Sequence, residues 1–345
     1  MGKTAVILFN LGGPDKAESV EPFLFNLFND KAIIGAPQPI RWLIARLISR
    51  RRAPIAQEIY SHIGGGSPLL KNTGAQSTAL EQCLKEKLPH DDIKCFISMR
   101  YWHPMSLDTA SEVKAWNPDK IILLPLYPQF SMTTTGSSFE DWNRSAKTVG
   151  LFQETVSACC YPTDDGLIDA IAGRLQHVLD DASDKKPFRI LFSAHGLPQK
   201  IVDRGDPYQW AVEQTAASII KKIAGAKLDW QVSYQSRVGP LSWIKPYTED
   251  EIMRAGEEEV SLIVVPIAFV SEHSETLVEL DIEYRELAEK AGVPSYTRVG
   301  AVSCDAAFID GLADIVVALD GNVMGVQGPS GGRLCPGVCK QCPIE

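Results

Sequence analysis

A histidine closes the apolar run Leu191, Phe192, Ser193, Ala194, His195, with Gly196 and Pro198 just behind it. Its ordinary pKa of about 6.5 lets an imidazole in such a place accept a proton near neutral pH. A lone histidine hydrogen-bonded in a loop would give the same pattern. More specific is the stretch Phe269–Tyr284, which carries Glu272, His273, Glu275, Glu279 and Glu283, with Glu286 following. Spacings of three and four put the carboxylates on one helical face, although like charges so placed cost about 0.2–0.5 kcal/mol per pair. An acidic stripe that starts where an apolar strand ends is a route for a hydrated cation, with His273 as a nitrogen donor. A solvated helix face is the bland alternative. The position after a strand favours the cation path.

Of the eight cysteines, Cys335, Cys339 and Cys342 lie close together as C-x3-C-x2-C near the end of the chain. Three thiolates at this spacing suit zinc or an iron–sulfur cluster, and both usually take four ligands. Cys159, Cys160 and Cys304 are the candidates for the fourth. A free tail is the alternative. Gly64, Gly65, Gly66, Ser67 and Pro68 form a glycine-rich turn without the lysine or spacing of a phosphate loop. Its backbone and Ser67 could bind a carboxylate.

These residues need elements to hold them. In the first half, strands are expected at Thr4–Asn10, Ile93–Met99, Ile121–Leu126 and Glu154–Cys159, with helices at Thr78–Lys87 and Leu107–Trp116. In the second half, the corresponding strands are Arg189–Ser193, Gln231–Tyr234, Ser261–Ala268 and Ser295–Ala301. Helices there fit Tyr208–Ile223, Asp250–Gly256 and Glu275–Ala291. Apolar strands alternating with helices indicate parallel sheets buried on both faces. Local chemistry repeats as well: the first strand of each half is followed by glycine and proline, and the third ends in Pro125 or Pro266. The expected fold is α/β: two doubly wound, Rossmann-like domains of similar topology, each with a four-stranded parallel sheet, facing each other across a cleft. The expected boundaries are 1–160 and 161–320, then a cysteine-bearing tail, 321–345, without regular structure. Ligands of such sheets bind beyond the strands' carboxyl ends. The residues found there include Arg100 to His103, Tyr127, His195, Gln235 to Arg237 and Glu272 to Glu275. Residues 20–52 are an apolar segment closing on Arg50, Arg51 and Arg52, either a core helix with a basic end or a lip for a flat apolar ligand or a membrane surface.

The formal net charge of -9 argues against nucleic acid as a partner and leaves room for a cationic substrate. The longest apolar runs, Ile121–Tyr127 and Leu262–Val270, fall far short of the ~20 residues of a spanning helix. Ala5–Phe9 is too short for a secretory signal, so a reducing cytoplasm is the expected location.

Eight stretches in order, along nearly the whole chain, resemble the ferrochelatases: Leu8–Pro14, Ile63–Pro68, Arg100–Pro104, Tyr127–Ser131 with Thr134–Ser138, Leu191–Pro198, Asp203–Tyr208, Gln235–Pro240 and Phe269–Tyr284. The resemblance implies a porphyrin cleft between two Rossmann-like domains and insertion of ferrous iron into protoporphyrin IX. It assigns His195 as the active-site histidine and Glu275 as its acidic partner. Glu272, His273 and Glu279 become the metal path. Leu11, Arg100, Tyr101, Tyr127, Trp243 and Phe269 would line the pocket, Leu11 standing where members often carry methionine. Arg52 and Ser67 would hold propionates. Some members carry a [2Fe-2S] cluster on three C-terminal cysteines and one internal cysteine. The animal-type internal position is Met132 here, and the bacterial placement fits Cys159 or Cys160. The implied protein is a monomer or homodimer with at most a weak peripheral membrane contact through its lip. Rival readings are a chelatase for coproporphyrin or another tetrapyrrole, and a non-catalytic iron- or haem-binding protein.

Overall fold

The computed structural model describes residues 2–182, 187–223, 228–321, 324–328 and 331–344. In chain order the elements are β1 (Lys3–Asn10), α1 (Val20–Phe28), α2 (Gln38–Ser61), α3 (Leu69–Lys87), β2 (Asp92–Met99), α4 (Ser106–Trp116), β3 (Lys120–Pro125), α5 (Ser137–Val149) and β4 (Glu154–Ala158). There follow α6 (Asp165–Ala182), β5 (Phe188–His195), α7 (Gln199–Asp203), α8 (Tyr208–Lys222), β6 (Trp230–Gln235), α9 (Thr248–Glu257), β7 (Ser261–Pro266), α10 (Tyr284–Lys290), β8 (Tyr296–Arg298), α11 (Ala306–Asp320) and β9 (Gly325–Gln327). The chain divides into two compact units. One holds Met1–Cys159 with Ala313–Gly332, the other Cys160–Leu312 with Arg333–Pro343.

The first unit's sheet has the order β2-β1-β3-β4-β9 and the second's β6-β5-β7-β8, with every pairing parallel. Continuous apolar runs make the central strands because both faces are covered. Ala5, Val6, Ile7 and Leu8 of β1 are wholly buried, as are Ile190, Leu191 and Phe192 of β5. Phe9 meets Phe139 and Trp142 edge-on, at 5.8 Å each, which seats α5 on the first sheet.

The duplication extends to single hydrogen bonds. Pro125 of β3 pairs with Phe9, and Pro266 of β7 pairs with Ser193. The next residue donates its N–H back to that partner in each unit: Leu126 to Phe9 O at 2.9 Å, Ile267 to Ser193 O at 3.0 Å. Met99 N–H reaches Pro104 O at 2.7 Å, and Tyr234 N–H reaches Pro246 O at 2.9 Å. Hydroxyl pairs Ser98–Ser106 and Ser233–Thr248 tie the second strand of each unit to its following helix. After β3 and after β7 comes a π-helical segment, Met132–Gly136 and Glu275–Glu283.

Four features depart from the sequence expectations. The first sheet has five strands, because Gly325–Gln327 of the tail covers the edge of β4. Three residues carry no readable periodicity, yet an open edge of backbone donors and acceptors favours such a cover. The basic triplet Arg50, Arg51, Arg52 lies in the middle of α2, which runs on to Ser61. Helices α5, α6, α7 and α11 have no counterpart in the expected elements. The expected helix at Glu275 opens as a π-helix before becoming α10.

Candidate active site

β5 delivers His195 at its last position, opposite Gln235 of β6. Nδ1 of His195 lies 2.6 Å from the carbonyl oxygen of Gly196. A carbonyl only accepts, so Nδ1 carries the hydrogen and Nε2 keeps a lone pair. Nε2 stands 3.7 Å from Oε1 of Glu275, beyond a hydrogen bond but close enough to stabilise an imidazolium. The two side chains are 36% and 30% exposed, so solvent screens the pair and protons can leave. The Trp243 ring lies 6.3 Å from the imidazole, and its indole N–H donates to Val238 O at 3.2 Å.

The acidic residues share one region but not one environment. Glu279 accepts from Gln235 Nε2 at 2.9 Å, Ser236 N at 2.8 Å, Ser236 Oγ at 2.5 Å and Tyr284 Oη at 3.1 Å. Burial, then the charge of Glu275, still push its carboxyl above the usual range. Glu272 has the opposite fate. Burial works to raise it, but hydrogen bonds from Thr276 and Arg298 outweigh that and hold it low. Its Oε1 receives Arg298 Nη1 at 2.8 Å and Ala301 N at 2.9 Å. His273 accepts the Glu275 N–H on Nδ1 at 3.0 Å and meets Phe269 edge-on at 4.6 Å. Burial keeps it neutral, and with Nδ1 occupied the ring hydrogen sits on Nε2. Glu283 and Glu286 are exposed, and Glu286 pairs with Lys290 at 3.4 Å. The expected single stripe is thus three groups: a neutralised Glu272, an inner pair Glu275 and Glu279, and a solvated pair further along. Its inner end is the π-helix, a form frequent at functional sites.

The carboxyl end of the first sheet is a different construction. Asp30 is buried and receives Arg100 Nη2 at 2.7 Å, Tyr101 Oη at 2.8 Å and the Ser137 hydroxyl. Burial pushes this carboxyl up, but Arg100 and these donors outweigh it and hold it low. Arg100 also donates Nε to Ser137 Oγ at 2.7 Å, and Tyr101 has no exposed surface. Burial raises the Tyr127 phenol, which lies beside Ser138. Leu11 is half-buried, and its carbonyl accepts the Tyr101 N–H at 2.9 Å. Ser67 donates its N–H to Pro14 O at 2.7 Å and lies so close to Gly13 that a Cβ there would come within 2.4 Å of its Oγ. Arg52 sits on α2 with its guanidinium 5.8 Å from the Phe28 ring centre. Arg100, Tyr101 and Leu11 are therefore brought together, while Ser67 and Arg52 make separate contacts.

In the tail, Arg333 donates to the carbonyls of Cys335, Pro336 and Cys339 at 3.0, 2.9 and 2.8 Å. Cys339 is buried, and burial followed by the nearby Cys335 pushes its thiol up. Cys160 belongs to the same unit as this loop, and Cys159 to the other. Among the described residues no three His, Cys, Asp or Glu side chains form a ready-made metal-holding group.

A family model described as Ferrochelatase matches residues 3–319. A ferrochelatase of Caulobacter vibrioides is 52% identical over 343 residues, covering 99% of this chain and 98% of the relative. One from Pelagibacter ubique is 48% identical over 341 residues, with 99% and 98% covered. This chain belongs to the ferrochelatase family. Among solved structures, SirB from Bacillus subtilis with Fe3+ superposes with a TM-score of 0.54 at 12% identity, covering 93% of this chain and 97% of that one. At that identity the likeness is one of fold. The ferrochelatase family match ends at residue 319, so the cysteine-bearing tail lies beyond it.

Sequence reasoning missed Asp30 and Arg298, and it gave no role to Ser137 or Tyr208 within the stretches it singled out. Asp30 and Arg298 are charged residues that hold charges needed elsewhere. The signal available was a buried partner owed to Arg100 and to Glu272, which a one-dimensional pattern does not locate.

Proposed function

We infer that this chain inserts ferrous iron into protoporphyrin IX to form protohaem, with release of two pyrrole protons. The observation that carries the assignment to a site is the His195–Glu275 pair, with a free Nε2 lone pair 3.7 Å from a carboxylate. Each pyrrole N–H must surrender its proton as iron takes the nitrogen. His195 Nε2 accepts a proton, and Glu275 stabilises the resulting imidazolium. Glu279, held up by burial and by Glu275, is suited to accept a proton and pass it on. Iron is a substrate here, and Glu275 and Glu279 are its last carboxylate contacts. Glu272 and His273 shape the approach, Glu272 held by Arg298 and His273 as a cap on the π-helix. Trp243 and Phe269 contact the macrocycle, and a pocket favouring a buckled ring would expose the nitrogen lone pairs. Leu11 and Tyr127 offer further apolar contact. Arg100 and Tyr101, tied to Asp30, frame the wall, and Arg52 and Ser67 take the propionates.

The test is anaerobic turnover. Protein, protoporphyrin IX and ferrous iron should give repeated conversion of porphyrin bands to haem bands, and His195→Ala should give none. Turnover with coproporphyrin alone would change the substrate. No turnover with either would favour a binding protein.

The tail cysteines suit a [2Fe-2S] cluster as a donor set: three thiols in one loop whose carbonyls Arg333 gathers, with Cys160 or Cys159 as fourth ligand. Zinc is the alternative. The described loop does not yet converge three ligands, and no catalytic step depends on the group. When bound it would cross-link the tail. Equal iron and sulfide content lost in Cys339→Ser would support a cluster. Among the described residues no helix is long and apolar enough to cross a membrane. The exposed Ile40, Trp42, Leu43 and Leu47 of α2 support a weak peripheral contact of a cytoplasmic monomer or homodimer.

A further inference from the structure

The stretch Asp203–Tyr208 has no part in the chemistry above, yet it touches both the cysteine loop and His195. At one end, Gly205 has φ of +97°, and a Cβ there would lie 2.6 Å from the backbone nitrogen of Lys340. Only glycine fits this approach. Its carbonyl accepts the Gln341 N–H at 3.0 Å, so the cysteine loop docks by backbone contact. Asp206, 3% exposed, accepts the Tyr208 N–H on Oδ1 at 3.0 Å and lies within electrostatic reach of Cys339. At the other end Tyr208, the first residue of α8 and 7% exposed, donates its hydroxyl to the carbonyl of His195 at 3.0 Å. Its phenol is near enough to Glu275 to feel that charge.

We propose that Tyr208 is a positioning residue for His195 and that Gly205–Tyr208 is the joint through which the docked cysteine loop holds it in place. His195 has two anchors, its own Nδ1–H to Gly196 and the Tyr208 hydroxyl on its carbonyl. The second lies at the start of α8, two residues beyond the Asp206 that faces the loop. Loosening the loop frees the start of α8, and His195 Nε2 loses its fixed relation to Glu275. Binding of porphyrin and iron involves other groups, so the effect falls on kcat. The proposal rests on the reading of His195 as proton acceptor.

Five proteins decide it: wild type, Tyr208→Phe, Gly205→Ala, the double variant of these two and His195→Ala, each with its cofactors as purified and its melting temperature recorded. Tyr208→Phe should lower kcat about tenfold with KM for porphyrin and iron unchanged, as expected for a small misplacement of a reacting group. Gly205→Ala should speed amide exchange across residues 333–343 and lower kcat to a similar degree. The double variant should be no slower than the slower single one. If Gly205→Ala does not fold, Gln341→Pro removes the same docking N–H. Wild-type kcat in Tyr208→Phe, or faster exchange in the loop with unchanged kcat, overturns the proposal. Turnover by His195→Ala would instead overturn the underlying reading, whatever Tyr208→Phe does.

Discussion

The carboxyl ends of the two sheets follow one plan and carry opposite chemistry. Register places Phe9 and Ser193 at equivalent points, each opposite the strand-ending proline. Counting on, Leu11 stands where His195 stands, and Arg100 where Gln235 stands. In the first unit the arginine is consumed by a buried carboxylate, Asp30, held low by its partners. In the second the glutamine supports a carboxylate, Glu279, held high by burial and a like charge. One end is neutralised and apolar, the other acidic with a proton acceptor at its edge. The backbone frame supplies positions, and the chemistry follows from which residue occupies each.

The largest contrast should appear between the equivalent positions themselves. His195→Ala should lower turnover by a factor on the order of 10²–10⁴, while Leu11→Ala should change kcat/KM only severalfold. Steady-state rates measure both, and equal losses would mean that the two ends share the chemistry. Next is Asp30→Asn. It leaves the Arg100 guanidinium buried without its counter-charge, for a cost of about 3–5 kcal/mol in unfolding by denaturant. A loss below ~1 kcal/mol would show that Asp141, 3.8 Å from Arg100, takes over.

The smallest effect is a difference in sign. Asp30 is held low, so it stabilises the fold above the unfolded-state pKa, and that contribution is lost as pH falls through the folded value. Glu279 is held high, so its contribution is complete below the unfolded pKa and is lost as pH rises through the folded value. Melting temperatures against pH should therefore show Asp30→Asn losing its deficit toward acid. Glu279→Gln should gain on the wild type as pH rises. Parallel curves for both variants would remove the distinction between the two ends.

Much of this was legible beforehand. Eight strands were readable because strands buried on both faces are continuous apolar runs, and the duplication because Pro125 and Pro266 end equivalent strands. β9 escaped because three residues at a sheet edge hold their place by backbone pairing alone. The acidic residues were found by spacing. Their division was not, because Arg298, 26 residues from Glu272, pairs with that member of the stripe and with Asp281 but not with Glu275 or Glu279.

The amino-acid order by itself determined the doubled α/β plan, the place of His195 at a strand's end and the clustering of acids and cysteines. These depend on local periodicity and on neighbours along the chain. Only tertiary structure decided which charges stay free, since desolvation and hydrogen-bond partners are set through space. Asp30 reaches Arg100 across 70 positions, and Tyr208 reaches the His195 carbonyl from the start of another helix.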